Sequence, residues 1–285
     1  MSLLQTVDMG VAFGGLKAVN EVSIDVEPGT LVGLIGPNGA GKTTFIDGIT
    51  GFVPTTGHVR FDGKEISDLP AHARALAGLG RSWQSLELFD DLTVRENLMV
   101  AAERQSAKSF LLDLVRPNRA RDMSAVSGAM ELLNIGDLAG RMPNEISQGQ
   151  RKLVSVARAL AGRPKLVAMD EPAAGLDSTE SLALGDRLRD IVNDGTAIFL
   201  VDHDMGLILK VCDYIYVIEF GQMIAKGTPN EIRNNDRVIE AYLGNQGRQD
   251  KEAAAVPEAH PEELHDYSRD EAAPTDFEPR IEGDL

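Results

Sequence analysis

Leu31-Val32-Gly33-Leu34-Ile35-Gly36-Pro37-Asn38-Gly39-Ala40-Gly41-Lys42-Thr43-Thr44 decides the fold. The apolar run ending at Ile35 reads as a buried parallel strand, and it breaks into a glycine-rich turn that opens a helix over roughly Lys42 to Ile49. Glycines at this spacing let backbone N–H groups converge on an anion with no side chain in the way. The helix start adds its partial positive charge. The stretch is therefore a phosphate cradle: Lys42 places a point charge on the β and γ phosphates of a nucleotide, and the Thr43 hydroxyl ligates the magnesium that accompanies them.

Working outward, 285 residues with 43% hydrophobic content suffice for one large or two ordinary domains. No apolar run approaches the roughly 20 residues needed to span a bilayer, and Met1 to Gly10 lacks a secretory pattern, so a membrane role would come through a partner. The single cysteine, Cys212, rules out an internal disulfide, suits a reducing cytosol and reads as a small core residue. A formal charge of −16 argues against a nucleic-acid partner. From Asn245 to Leu285 there are 12 acidic and 4 basic residues among alanines and prolines, which predicts a disordered, solvated tail that does not fold alone.

Before the cradle, Leu3 to Met9 and Val19 to Val26 alternate as two antiparallel strands joined through Phe13-Gly14-Gly15. Phe13 has two readings, an aromatic ring that stacks on a base or a hydrophobe buried at a strand end. After it, Gly57 to Ile66 is a hairpin turning at Asp62-Gly63, and Ala71 to Leu79 is helical. Gln84 then carries an amide that reaches a metal or an attacking water, or is an ordinary polar residue. Thr93 to Glu96 is a capping box opening a helix with Val94, Leu98 and Ala101 on one face. Just ahead, Leu86, Leu88, Phe89 and Leu92 belong either to the core or to a groove for another protein's helix. Arg104 to Asp122 is basic and irregular, and Ser124 to Leu133 resumes a helix.

Ser147 and Gln150 form a second capping box, with Leu153, Val156, Ala157 and Leu160 as its buried stripe. Its outward N–H groups make either a plain cap or a second anion site. Lys165 to Pro172 is a hydrophobic strand ending in two acids. Asp170 is placed to hold magnesium through water, and Glu171 to orient or deprotonate an attacking water. A short loop, Ala174 to Asp177, leads to a helix over Ser178 to Val192. The strand Ala197 to Val201 delivers Asp202-His203-Asp204 to the same edge, where His203 either is structural or holds the γ-phosphate and the water with Glu171. Asp213 to Ile218 and Gln222 to Ala225 form a hairpin through Phe220-Gly221, and Asn230 to Leu243 is mostly helical and stops at Gly244.

Taken in order, these motifs resemble the ATP-binding cassette (ABC) ATPases. Phe13 resembles their adenine-stacking loop, Gly36 to Thr44 the Walker A loop, Gln84 the Q-loop glutamine and Ser147-Gln148-Gly149-Gln150 the signature. Leu166 to Asp170 resembles the Walker B strand with Glu171 as its catalytic acid, Ala174 to Asp177 the D-loop, and His203 the switch histidine. Phe13 to Val19, Leu34 to Thr44, Asp170 to Leu176 and Arg237 to Gly244 are similar to the LivG-type branched-chain amino acid importers. Gln148 stands where the general pattern has glycine, and the acidic tail lies outside the resemblance.

The resemblance implies an α/β P-loop NTPase over residues 1–244: a RecA-like core, an antiparallel β layer and a helical subdomain at about 86–160. It implies ATP and Mg2+ as ligands, with Thr43, Gln84 and Asp170 around the metal. A second ABC ATPase subunit, identical or different, would pair head to tail, each ATP lying between one subunit's Gly36 to Thr44 and the other's Ser147 to Gln150. Motion would pass through Gln84 to Ala102 to integral membrane permease subunits at the cytoplasmic face of the cell membrane, with a substrate-binding protein acting indirectly. Rival readings keep the role with urea, amides or lipid as cargo, or make the chain a soluble ABC ATPase such as a cluster-assembly regulator.

Overall fold

The computed structural model describes residues 1–83, 88–103 and 123–242, which belong to one compact unit, Met1–Asn245. In chain order its strands are β1 (Leu4–Phe13), β2 (Leu16–Val22), β3 (Asp25–Val26), β4 (Leu31–Ile35), β5 (Thr56–Phe61), β6 (Lys64–Glu65), β7 (Leu79–Ser82), β8 (Leu166–Asp170), β9 (Ala197–Val201), β10 (Tyr214–Glu219) and β11 (Gln222–Gly227). The α-helices are α1 (Lys42–Thr50), α2 (Ala71–Ala77), α3 (Val94–Ala102), α4 (Ser124–Leu132), α5 (Gln148–Ala161), α6 (Ser178–Asn193), α7 (Met205–Val211) and α8 (Pro229–Arg233), and residues 236–242 are helical as well.

A six-stranded sheet, ordered β11-β10-β4-β9-β8-β7, forms the centre, with every pair parallel except the β10–β11 edge hairpin. Sheets of this kind are covered on both faces, which is why β4, β8 and β9 are continuous apolar runs. Leu31, Ile35, Met169 and Leu200 share one core with α3, α4 and α5, whereas Val32, Leu34, Ala168 and Phe199 share another with β1, β5 and α1. The second core holds α1 in place: Phe45 is fully buried with its ring 5.7 Å from that of Phe199. Burial of one such ring contributes about 1.5–3 kcal/mol. Against it lies the antiparallel layer, ordered β2-β1-β5-β6 with β3 also paired to β1. Cys212 is buried, as expected of a small core residue. Its Sγ fills the space over Gly33, where an added Cβ would lie 2.9 Å away.

Several expectations change. The helix from Ala71 ends at Ala77, because Gly78 adopts a left-handed φ of 109° and Leu79 starts the edge strand β7. Asn230 to Leu243 is mostly helical, as expected, but in two pieces: α8 stops at Arg233, and the Asn235 carboxamide accepts the amides of Arg237 and Val238 to start the next. On α5, Val154 is fully buried and Leu153 only partly. Of the apolar loop before α3, Leu88 is partly buried and Phe89 exposed. The buried Asn97 amide ties that loop down through the carbonyls of Phe89 and Leu92. Among the described residues no helix is long and apolar enough to cross a membrane.

Candidate functional site

Backbone crowds the glycine-rich loop from behind. A Cβ on Gly36 would lie 2.1 Å from the Ile218 carbonyl oxygen, and one on Gly41, whose φ is 100°, 2.3 Å from that of Ala18. Only glycine allows so close an approach together with that left-handed φ. Gly221 donates its amide to the Ala40 carbonyl at 3.0 Å, so the β10–β11 turn braces the loop directly. On the open side, Asn38, Gly39 and Thr43 are exposed, while Pro37, Gly41 and Thr44 are partly so. Lys42 is buried, and its Nζ donates to the carbonyls of Gly36 at 2.8 Å and Pro37 at 3.1 Å. Burial lowers its pKa, against the nearby charges of Glu171, Asp170 and Asp202.

Those three acids converge because β4, β9 and β8 lie side by side and parallel, so their carboxyl ends share one edge with the loop. Asp170, the last residue of β8, is 2% exposed, and its Oδ1 is buried with no hydrogen-bond partner. Burial raises its pKa, while the Thr43 hydroxyl and the Arg81 charge pull it down. An orphaned, buried carboxylate oxygen beside a threonine hydroxyl fits a magnesium ion that arrives on phosphates and needs only one or two protein ligands.

Glu171 sits at a φ of 47°, unusual for a non-glycine residue, with its amide held by the Val201 carbonyl at 2.7 Å. His203 Nδ1 stands 3.4 Å from Glu171 Oε1, and the imidazole is 55% exposed to the space in front of the edge. Asp202 is the residue that sequence reasoning passed over. Fully buried, it accepts the amides of Ala173, His203 and Asp204 and so links the turn after β8 to the turn after β9. Burial raises its pKa, and those amides oppose it. Its only signal in the sequence is an acid directly after an apolar strand.

Phe13 is 53% exposed at the end of β1, which removes the reading of a buried strand end. Ser147 and Gln150 form the expected reciprocal box, and Ser147 and Gln148 at that helix start are exposed. Gly149 packs near Glu180 and Gly175 near the Gln148 amide, so the start of α5 lies beside the cap of α6, where Asp177 accepts the amides of Thr179 and Glu180. Among the described residues, no hydrogen bond or ion pair joins Ser147–Gln150 to Gly36–Thr44. Gln84, Leu86, Arg104 to Asp122 and the acidic tail lie outside the described residues.

Comparison with known proteins extends well beyond the phosphate loop. The profile of the family described as ABC transporter matches residues 19–174, and that of the branched-chain amino acid ATP-binding cassette transporter matches residues 222–247. The high-affinity branched-chain amino acid transport ATP-binding protein BraF of Pseudomonas aeruginosa is 40% identical over 251 residues, 85% of this chain and 98% of the relative. LivG of Escherichia coli (strain K12), a transport ATP-binding protein of the same description, is 38% identical over 249 residues, with coverage of 85% and 98%. A nucleotide-free ATP-binding cassette from an ABC transporter superposes with a TM-score of 0.75 at 32% identity, covering 85% of this chain and 99% of that one. Agreement this broad does not arise from a shared phosphate loop alone, and the chain belongs to the ABC transporter family as an ATP-hydrolysing cassette.

Proposed function

We propose that this chain pairs head to tail with a second ABC ATPase subunit and that the pair drives branched-chain amino acid import through integral membrane permease subunits at the cytoplasmic face of the membrane. The observation that carries this reading is the exposed, capped start of α5, which among the described residues has no hydrogen bond or ion pair to the chain's own phosphate loop. One chain then offers two half-sites, and each is completed by the other subunit. The cargo assignment rests on the match over residues 222–247 and on the descriptions of BraF and LivG.

In such a pair Phe13 stacks on the adenine, and Gly36 to Thr44 with Lys42 holds the phosphates. Ser147, Gln148, Gly149 and Gln150 of the opposite subunit approach the γ-phosphate through the N–H groups of a helix start. Asp177, beside that helix start, faces the same interface. Thr43, Asp170 and Gln84 would hold the magnesium, which would supply charge neutralisation for the phosphates. Glu171 orients a water and takes its proton as the oxygen attacks the γ phosphorus, and the bond to the bridging oxygen of ADP breaks. His203 keeps the carboxylate and the transferring group aligned. Closing of the pair is passed to the permease beside β7 and α3, where a surface cavity of about 500 Å³ is lined by Arg81, Trp83, Glu103 and Arg158 among others.

Co-purification from membranes tests the assignment. The expected result is a complex with hydrophobic permease subunits that takes up leucine, isoleucine or valine at the expense of ATP. A chain that never brings down a membrane subunit would favour the soluble reading, and a complex that transports none of the three would overturn the cargo.

A further inference from the structure

Lys152 lies on α5, one turn beyond the capped start, yet the residue is only 5% exposed. Its Nζ reaches the Glu171 carbonyl at 3.4 Å, and among the described residues that is the ammonium's one hydrogen bond. No carboxylate of the described residues stands within ion-pair distance of it, although Asp202 and Glu171 are near enough to favour its charge against a burial that lowers its pKa. A buried ammonium on a single long bond is a poor device for stability, since an apolar side chain of the same length would pack there without the desolvation cost. Packing therefore does not account for it.

The carbonyl it meets belongs to the strained peptide at Glu171, whose amide is anchored to Val201 and whose carbonyl also accepts the Ala174 amide at 3.1 Å. Lys152 thus bonds the helix that starts at Ser147 directly to the backbone that aims the Glu171 carboxylate. We propose that Lys152 is a positioning residue, which ties the helix engaging the partner's triphosphate to the Glu171 peptide of the chain's own site and so sets that carboxylate for attack. The inference rests on the paired-cassette reading above.

The test uses the full chain. Lys152→Met keeps the length and apolar stem and removes the buried charge, so the melting temperature is expected to be no lower than the parent's and the equilibrium affinity for ATP to stay the same. The rate constant kcat should fall by about tenfold to a hundredfold, the scale on which misplacing a reacting group acts, with KM for ATP little changed. Lys152→Arg, which keeps the buried cation, should recover a substantial share of the rate. In a Glu171→Gln background, adding Lys152→Met should leave ATP-driven pairing intact. A kcat within about twofold of the parent, a loss of rate matched by a loss of melting temperature, or no recovery with arginine would each overturn the proposal. Pairing lost only when Lys152→Met is added would overturn it too, by moving the residue's role to the interface. Failure of Glu171→Gln alone to pair with ATP would instead count against the paired-cassette reading.

Discussion

His203 and Glu171 face each other across the carboxyl edge of the central sheet, Nδ1 to Oε1 at 3.4 Å, although they follow different strands. Asp202 ties the two turns together underneath through the amides of Ala173 and His203. If Glu171 takes the proton of the attacking water, Glu171→Gln keeps the shape and removes the base. Turnover is expected to fall by about 10²–10⁴-fold while ATP-dependent pairing persists. Steady-state ATP hydrolysis and the mass of the nucleotide-bound species check this, and full activity would remove Glu171 from its role.

Lys42→Ala takes away an ammonium that the loop holds over its own carbonyls. Charge-assisted hydrogen bonds contribute about 1.5–3 kcal/mol, so ATP affinity should drop roughly tenfold to a hundredfold. Equilibrium titration with ATP measures it. Unchanged binding would count against the cradle.

Asp170 carries a pKa that burial raises, which makes its ionised form a cost to folding. The sign follows: the cost is full above the folded pKa, shrinks as pH falls through it, and is absent below the ordinary value of 3.8. Without nucleotide, Asp170→Asn should therefore melt higher than the parent at neutral pH and lose that advantage in acid, by roughly 2–4 °C for each kcal/mol relieved. Melting curves across pH decide it. A variant no more stable than the parent at neutral pH would refute the burial argument. Magnesium-dependent turnover should be lost in the same variant.

Trp83 is the one tryptophan of the chain, and its ring lies 4.0 Å from the Arg81 guanidinium carbon. Arg81 in turn bonds Asp47 of α1 at 2.6 Å, so the helix that begins at the phosphate loop is mechanically joined to the ring. Adding ATP and magnesium should change tryptophan emission. Arg81→Met should abolish most of that change while ATP still binds, as an independent binding measurement would show. An identical emission change in the variant would break the proposed link.

Local chemistry explains what could be read from the chain alone. The turn at Gly36–Gly41, the capping boxes at Thr93 and Ser147 and the hairpin at Asp62-Gly63 are each specified by residues adjacent in sequence, and the structure holds all of them. The apolar strands β4, β8 and β9 were legible for the same reason, being short, β-branched or leucine-rich runs that end in turn residues. The α7 helix and the strand β7 were not legible. Each is short, and β7 owes its state to pairing with β8 rather than to its own residues.

The glycine-rich loop and the acid-tipped strands were readable from the chain alone, because a backbone's preferred turns and caps depend on near neighbours. Tertiary structure alone decided that Phe13 is exposed, that Asp202 joins two turns and that Lys152 reaches the Glu171 carbonyl. Those facts arise from strand register and side-chain burial between segments far apart in the chain, which no local pattern encodes.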